Sequence, residues 1–123
     1  LRAVIICPSN PFISVEPILA MPGVRAALLH CGAPVIAVSP IIGGRAIKGP
    51  TAKMMQELGM EVSAASVAWR YGDLLDGYVV DHADADIIVH GPRVFKASTL
   101  MTTLADREAL ARVVLDAAAA LRG

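Results

Sequence analysis

The sequence predicts an α/β domain of Rossmann-like form: three layers, α/β/α, with a mainly parallel sheet of four strands in this chain. Three observations carry that prediction. Short apolar runs rich in Val and Ile, the pattern of strands buried on both faces, alternate with segments of helical spacing. The chain is 55% hydrophobic but only 4% aromatic, so Ala, Val, Ile and Leu build its core. Strands that alternate with helices require crossovers, and crossovers produce a parallel sheet. With 123 residues and no internal repeat, low-complexity tract or linker, residues 1–123 read as a single α/β domain.

The elements follow in order. Ala3–Cys7, "AVIIC", is a continuous β-branched run stopped by "PSNP", a strand feeding a loop. Ser14 is placed to cap a short helix from Val15, with Pro17 in its first turn. Pro22 opens a second helix with Val24, Ala27, Leu28 and Cys31 at helical spacing, stopped by Gly32. "PVIAVS" (Pro34–Ser39) is the second strand. Pro50 suits a first helical position, Met54, Met55 and Leu58 make an apolar face, and Gly59 closes that helix. Ser63 caps the next, with Ala64, Val67, Ala68 and Tyr71 on one side and Gly72 at its end. "GYVVD" (Gly77–Asp81) is the third strand. "ADADIIVHGP" reads as a short helix, because acidic residues precede it and Gly91-Pro92 follow. "RVFKAS" (Arg93–Ser98) is the fourth strand. Thr103 and Asp106 offer alternative caps for a last helix with Leu110, Val113, Val114, Ala117 and Leu121 in register and a Glu108–Arg112 pair.

Composition narrows the function classes. Lys+Arg and Asp+Glu both number 11, so no net charge draws the chain to nucleic acid or an anionic membrane. Cys7 and Cys31 have no CxxC or Cys/His spacing and read as buried thiols of a cytoplasmic protein rather than a disulfide or zinc site. No apolar run reaches the roughly 20 residues of a membrane span, and no signal-peptide pattern is present. The chain starts at Leu1 and enters a strand almost at once, which suggests the C-terminal part of a longer chain.

Ligands of open α/β sheets sit outside the carboxyl ends of the strands. Three loops leave such ends: Pro8–Ser14, Pro40–Gly49 and the acidic Asp81–Asp86 segment. In the second, Gly44-x-x-x-x-Gly49-Pro50-Thr51 nearly matches a P-loop, but Pro50 replaces the lysine and removes an amide. Gly43 and Gly44 permit close backbone approach, the helix after Gly49 favours an anion, and Lys48 and Lys53 add charge. The competing reading is a glycine turn with solvated lysines. In "CPSNPFIS", Ser9 adds a hydroxyl, Asn10 either reads a base edge or forms an Asx-turn, and Ser14 either contacts phosphate or caps a helix. Asp81, His82, Asp84 and Asp86 invite a metal reading, yet carboxylates in a first helical turn are favoured without any metal. His30 and His90 lie near helix ends and indicate no catalysis.

Together, "CPSNPFISVEPILAMPGVRAAL", "APVIAVSPIIGGRAIKGPTAKMMQELG" and "VAWRYGDLLDGYVVD" resemble the 2-phospho-L-lactate transferase family, and "STLMTTLADREALARVVL" resumes the likeness near the end. Ile87–Ala97 matches the family weakly. The resemblance implies a Rossmann-like transferase of coenzyme F-420 biosynthesis. Such an enzyme moves a phospholactyl or phosphoenolpyruvyl group from a guanosine diphosphate-linked donor to the deazaflavin Fo, with Mg²⁺ required and GMP released. It implies that Ser9, Asn10, Ser14, Gly43, Gly44, Lys48, Gly49 and Lys53 face the donor nucleotide. Family chains are longer, so the Mg²⁺ ligands and most of the Fo pocket are expected outside this sequence, none of its residues being assigned to the metal, and the fragment alone is expected to be inactive. Two other readings remain: a non-catalytic nucleotide- or nucleotide-sugar-binding regulatory module, and assembly into a homodimer through the Met54/Met55 face and the Ala-rich last helix.

Overall fold

The computed structural model of the chain describes residues 1–46 and 50–123; Lys48 and Gly49 of the glycine loop lie outside the described residues. Four strands, β1 (Val4–Ile6), β2 (Val35–Val38), β5 (Gly77–Asp81) and β6 (Arg93–Ala97), form one sheet in the order β1-β2-β5-β6. Every pairing in it is parallel, with Ile5 opposite Ile36, Ala37 opposite Tyr78 and Val79 opposite Phe95. All four carboxyl ends therefore emerge on one side. β3 (Ile41–Ile42) and β4 (Arg45–Ala46) make a separate antiparallel hairpin.

Alternation along the strands sends side chains to two cores. Val35, Ala37, Tyr78 and Val80 pack against α3 (Thr51–Glu57) and α4 (Ala64–Tyr71) through Met55, Val67 and Tyr71. The same layer is completed by α1 (Glu16–Leu19) and α2 (Val24–His30), whose Leu19 and Leu28 are partly buried against it. Ile36, Val38 and Val79 face the other way, against Leu110, Val114, Ala117 and Ala118 of α5 (Leu104–Arg122). The three-layer arrangement expected from the sequence is thus present, with α5 alone forming the second helical layer. Its close approach depends on Gly77, where a Cβ would come within 2.8 Å of Leu121 Cδ1.

Several expectations need correction. Asn10, not Ser14, caps the first helical segment. Its Oδ1 accepts from the amides of Phe12 at 2.8 Å and Ile13 at 3.1 Å, starting a wide turn, Pro11–Val15, that runs into α1. Ser14 only donates its amide to the Asn10 carbonyl within that turn. Pro22 lies in a turn, and α2 begins after Gly23, whose φ of 84° reverses the chain. Pro50 stands at the cap of α3 rather than inside it. The segment after β5 forms one 3-10 turn, His82–Asp84, capped by Asp81, and no longer helix, since Ile87 and Val89 leave it to pack against the first core. Glu108 and Arg112 are not among the ion pairs of the described residues. Met55, Ala117 and Ala118 are buried inside the chain, so they are not an assembly surface, and Leu58 of the expected apolar face is exposed. Ser63 and Thr103 do cap α4 and α5, the latter in a capping box with Asp106.

Candidate functional site

At the carboxyl edge of the sheet, the chain turns to one face after β1 and β2 and to the other after β6. Between these departures lies an open cleft of about 410 Å³. Its walls come from the β1 loop (Pro8, Ser9, Asn10, Ser14), the β2 exit (Ser39, Pro40, Ile42) and Thr51 at the start of α3. Thr99, Leu100 and Met101 after β6, with Arg107 of α5, close the opposite side. Among the described residues, hydroxyls, the Asn10 amide, apolar side chains and one guanidinium line it, and no carboxylate does. The volume falls within the range of about 300–1,000 Å³ typical of small-ligand sites.

Carboxylates stand behind these walls instead. Asp81, at the end of β5, accepts from the Ala83 amide at 2.9 Å through one oxygen. Its other oxygen takes the amide and hydroxyl of Thr99, at 2.9 and 3.1 Å. Partial burial by itself would raise the Asp81 carboxyl, but these three hydrogen bonds outweigh it and hold the group below its ordinary value. Asp106 accepts from the Thr102 hydroxyl and amide and from the Thr103 amide, which lowers its carboxyl to about 2. Asp84, nearly buried, accepts from the Gly43 amide at 3.0 Å. Each anion thereby fixes backbone next to the cleft: Asp81 the Thr99 segment, Asp106 the entry to α5, and Asp84 the β3–β4 turn.

The residues anticipated from the sequence divide accordingly. Ser9, Asn10 and Ser14 line the cleft together. Asn10 is tied up on both sides of its amide, capping the turn through Oδ1 and donating through Nδ2 to Met54 Sδ at 3.6 Å, so it joins the β1 loop to α3. Gly43 and Gly44 are the two central residues of the hairpin turn, with φ of 59° and 74°, the left-handed geometry such a turn needs. Gly43 sits beside Ala83 and Asp84 and Gly44 beside the Val62 carbonyl, neither of them in the cleft wall. Lys53 lies on the exposed side of α3, 4.0 Å from Glu57. Thr51, Thr99 and Arg107 were not anticipated. Their participation depends on α3, β6 and α5 converging on one edge, which no local pattern announces.

Comparison with known proteins identifies the family. The family model described as "2-phospho-L-lactate transferase CofD" matches residues 2–118. The chain belongs to the CofD family. A "Phosphoenolpyruvate transferase" of Streptomyces griseus is 39% identical over 120 residues, covering 94% of this chain and 38% of that relative. A "2-phospho-L-lactate transferase" of Methanosarcina acetivorans is 44% identical over 116 residues, 91% of this chain and 37% of the relative. One from Streptomyces coelicolor, named "Phosphoenolpyruvate transferase", is 46% identical over 82 residues, 66% of this chain and 26% of its own length. The chain therefore spans well under half the length of the curated relatives it matches. The matched CofD span includes both cleft walls and also Ile87–Ala97. Transferases of both names thus share the segment that builds this cleft.

The CofD family raises the question of a metal. Among the described residues no three His, Cys, Asp or Glu side chains converge in a way that could hold one. Asp81 and Asp84 are engaged with protein N–H and O–H groups. The described residues do not by themselves make a Mg²⁺ site. Among the same residues, no single helix is long and apolar enough to cross a membrane.

Proposed function

We propose that this chain forms the donor-nucleotide part of a CofD-family transferase of coenzyme F-420 biosynthesis. The enzyme moves a 2-phospho-L-lactyl or phosphoenolpyruvyl group from a guanosine diphosphate-linked donor to the deazaflavin Fo. The observation that carries the reading is the cleft itself: a carboxyl-edge site with hydroxyls and a cation at its surface, in a chain whose relatives are named for transferring these groups. In the transfer, the Fo hydroxyl attacks the β-phosphorus, the bond from that phosphorus to the bridging oxygen breaks, and GMP departs with the bond's electron pair. Chemistry of this kind needs alignment and charge stabilisation more than covalent help from side chains.

Within this reading, Ser9 and Ser14 donate to phosphate oxygens, and Asn10 keeps their loop at the right distance from α3. Gly43, Gly44 and Lys53 form the neighbouring edge of the donor site, and the resemblance gives Lys48 and Gly49 the same donor-binding role. Mg²⁺, which the resemblance implies, draws its ligands from the rest of a longer cytoplasmic enzyme, as does most of the Fo pocket, and this part alone is inactive.

Full-length protein incubated with Fo, Mg²⁺ and a guanosine diphosphate-linked donor should release GMP in proportion to the Fo phosphodiester formed. Binding of guanosine diphosphate without turnover would favour a regulatory module, and no binding at all would refute the donor site. In the same titration, Lys48→Ala combined with Lys53→Ala should weaken the nucleotide; unchanged affinity removes those two lysines from the site.

A further inference from the structure

Arg107 is the one charged side chain on the described cleft wall, and nothing in its own helix accounts for it. It stands just after the capping box of α5, where the helix dipole favours anions and opposes a cation. Among the described residues the ion pairs engage Arg25, Lys53 and Arg70, and Arg107 forms none. The carboxylate beside it in sequence, Asp106, is held by Thr102 and Thr103. A guanidinium against an adverse helix field, with no ion pair among the described residues, faces a cleft supplied with hydroxyls from Ser9, Ser14 and Thr51. We propose that Arg107 is the anion clamp of this cleft and positions the phosphates of the bound donor. Its planar fork can grip two oxygens of one phosphate through parallel N–H bonds, a fixed geometry that a lysine ammonium lacks. Asp106 contributes indirectly, by fixing the first turn of α5 and with it the origin of the Arg107 side chain.

That the anion belongs to a guanosine diphosphate rests on the function proposed above; that Arg107 binds a phosphate does not. Calorimetric titration of the full-length protein in Mg²⁺ buffer, with GDP, guanosine and inorganic pyrophosphate as probes, separates the two. In Arg107→Ala, affinity for GDP and pyrophosphate should fall about 10- to 100-fold, the loss of a charge-assisted contact, while guanosine affinity stays as in wild type. Arg107→Lys should recover part of the loss, since it keeps the charge without the fork. Wild-type protein that binds pyrophosphate but neither GDP nor guanosine, with the pyrophosphate lost in Arg107→Ala, overturns the guanosine assignment and upholds the clamp. Unchanged pyrophosphate and GDP affinity in Arg107→Ala overturns the clamp while leaving the nucleotide site standing. An equal loss for guanosine, or wild-type protein that binds neither pyrophosphate nor GDP, also overturns it.

Discussion

Removing the Asp81 carboxylate should release the cleft wall on the β6 side, and substitutions can grade the effect. In Asp81→Ala, the amide and hydroxyl of Thr99 lose the oxygen they share. Thr99 is only 5% exposed, so water replaces that oxygen poorly. An orphaned buried amide costs about 1–3 kcal/mol, and loss of the more exposed bond from Ala83 adds up to roughly 1 kcal/mol. Together these predict destabilisation of about 3 kcal/mol. Asp81→Asn can turn its amide oxygen to Thr99 and give up only the Ala83 bond, for about 1 kcal/mol. The pH dependence has a definite sign. The folded-state value of Asp81 is depressed, so its contribution is complete above the ordinary carboxylate value and is lost as pH falls through the depressed one. The gap between wild type and Asp81→Asn should therefore be constant from about pH 7 to pH 5 and narrow in more acid solution. Urea unfolding followed by circular dichroism, repeated across that range, measures both effects. Equal destabilisation by Ala and Asn, or a gap that does not respond to acid, would refute the reasoning.

Two further substitutions probe neighbouring supports. Asn10→Ala should cost about 1 kcal/mol by deleting the cap of the Pro11–Val15 turn. Asn10→Asp keeps both acceptor contacts and should stay within roughly 0.5 kcal/mol in a thermal melt, yet weaken GDP by placing an anion on the cleft wall; equal melts for Ala and Asp would remove Asn10 as the cap. Tyr78 is fully buried, its phenol pushed up by burial, and its hydroxyl donates to the Ala64 carbonyl at 2.7 Å. Tyr78→Phe should lower stability by about 1–2 kcal/mol without changing nucleotide affinity, measured by the same urea and titration experiments.

The sequence discloses what is periodic and conceals what is convergent. The four sheet strands, the Ser63 cap with its Ala64, Val67, Ala68 and Tyr71 face, and the register of α5 follow from spacing alone, because neighbours along one element decide them. The β3–β4 hairpin was readable too, since a Gly43-Gly44 pair is a hairpin-turn signal, but an anion loop with a following helix explained the same glycines. At Asn10 the Asx alternative proved to be the cap, winning over Ser14 because its side chain reaches two amides ahead of Pro17 and the first turn of α1. Ser9, Asn10 and Ser14 were legible as neighbours in one cleft wall because one loop carries them all. Arg107 and Thr99 were not, since each reaches the cleft only after β6 and α5 have packed on the sheet.

That packing also explains why so many acidic residues can stand near a site for anions. A carboxylate facing the cleft would repel phosphate, and Asp81, Asp84 and Asp106 all lie close enough in the fold to do so if turned towards it. Each is instead turned to backbone amides, where its charge is answered by N–H and O–H donors and its geometry fixes a wall: Thr99 by Asp81, Gly43 by Asp84, Thr102 and Thr103 by Asp106. Asp81 and Asp84 of the acidic run that first resembles a metal site thus act as internal bracing. What remains facing the ligand is a set of hydroxyls and Arg107, so a chain with equal numbers of acidic and basic residues presents one locally positive edge. On the proposal that this cleft holds phosphates, its selectivity for anions comes from where its carboxylates are held, not from the net charge of the chain.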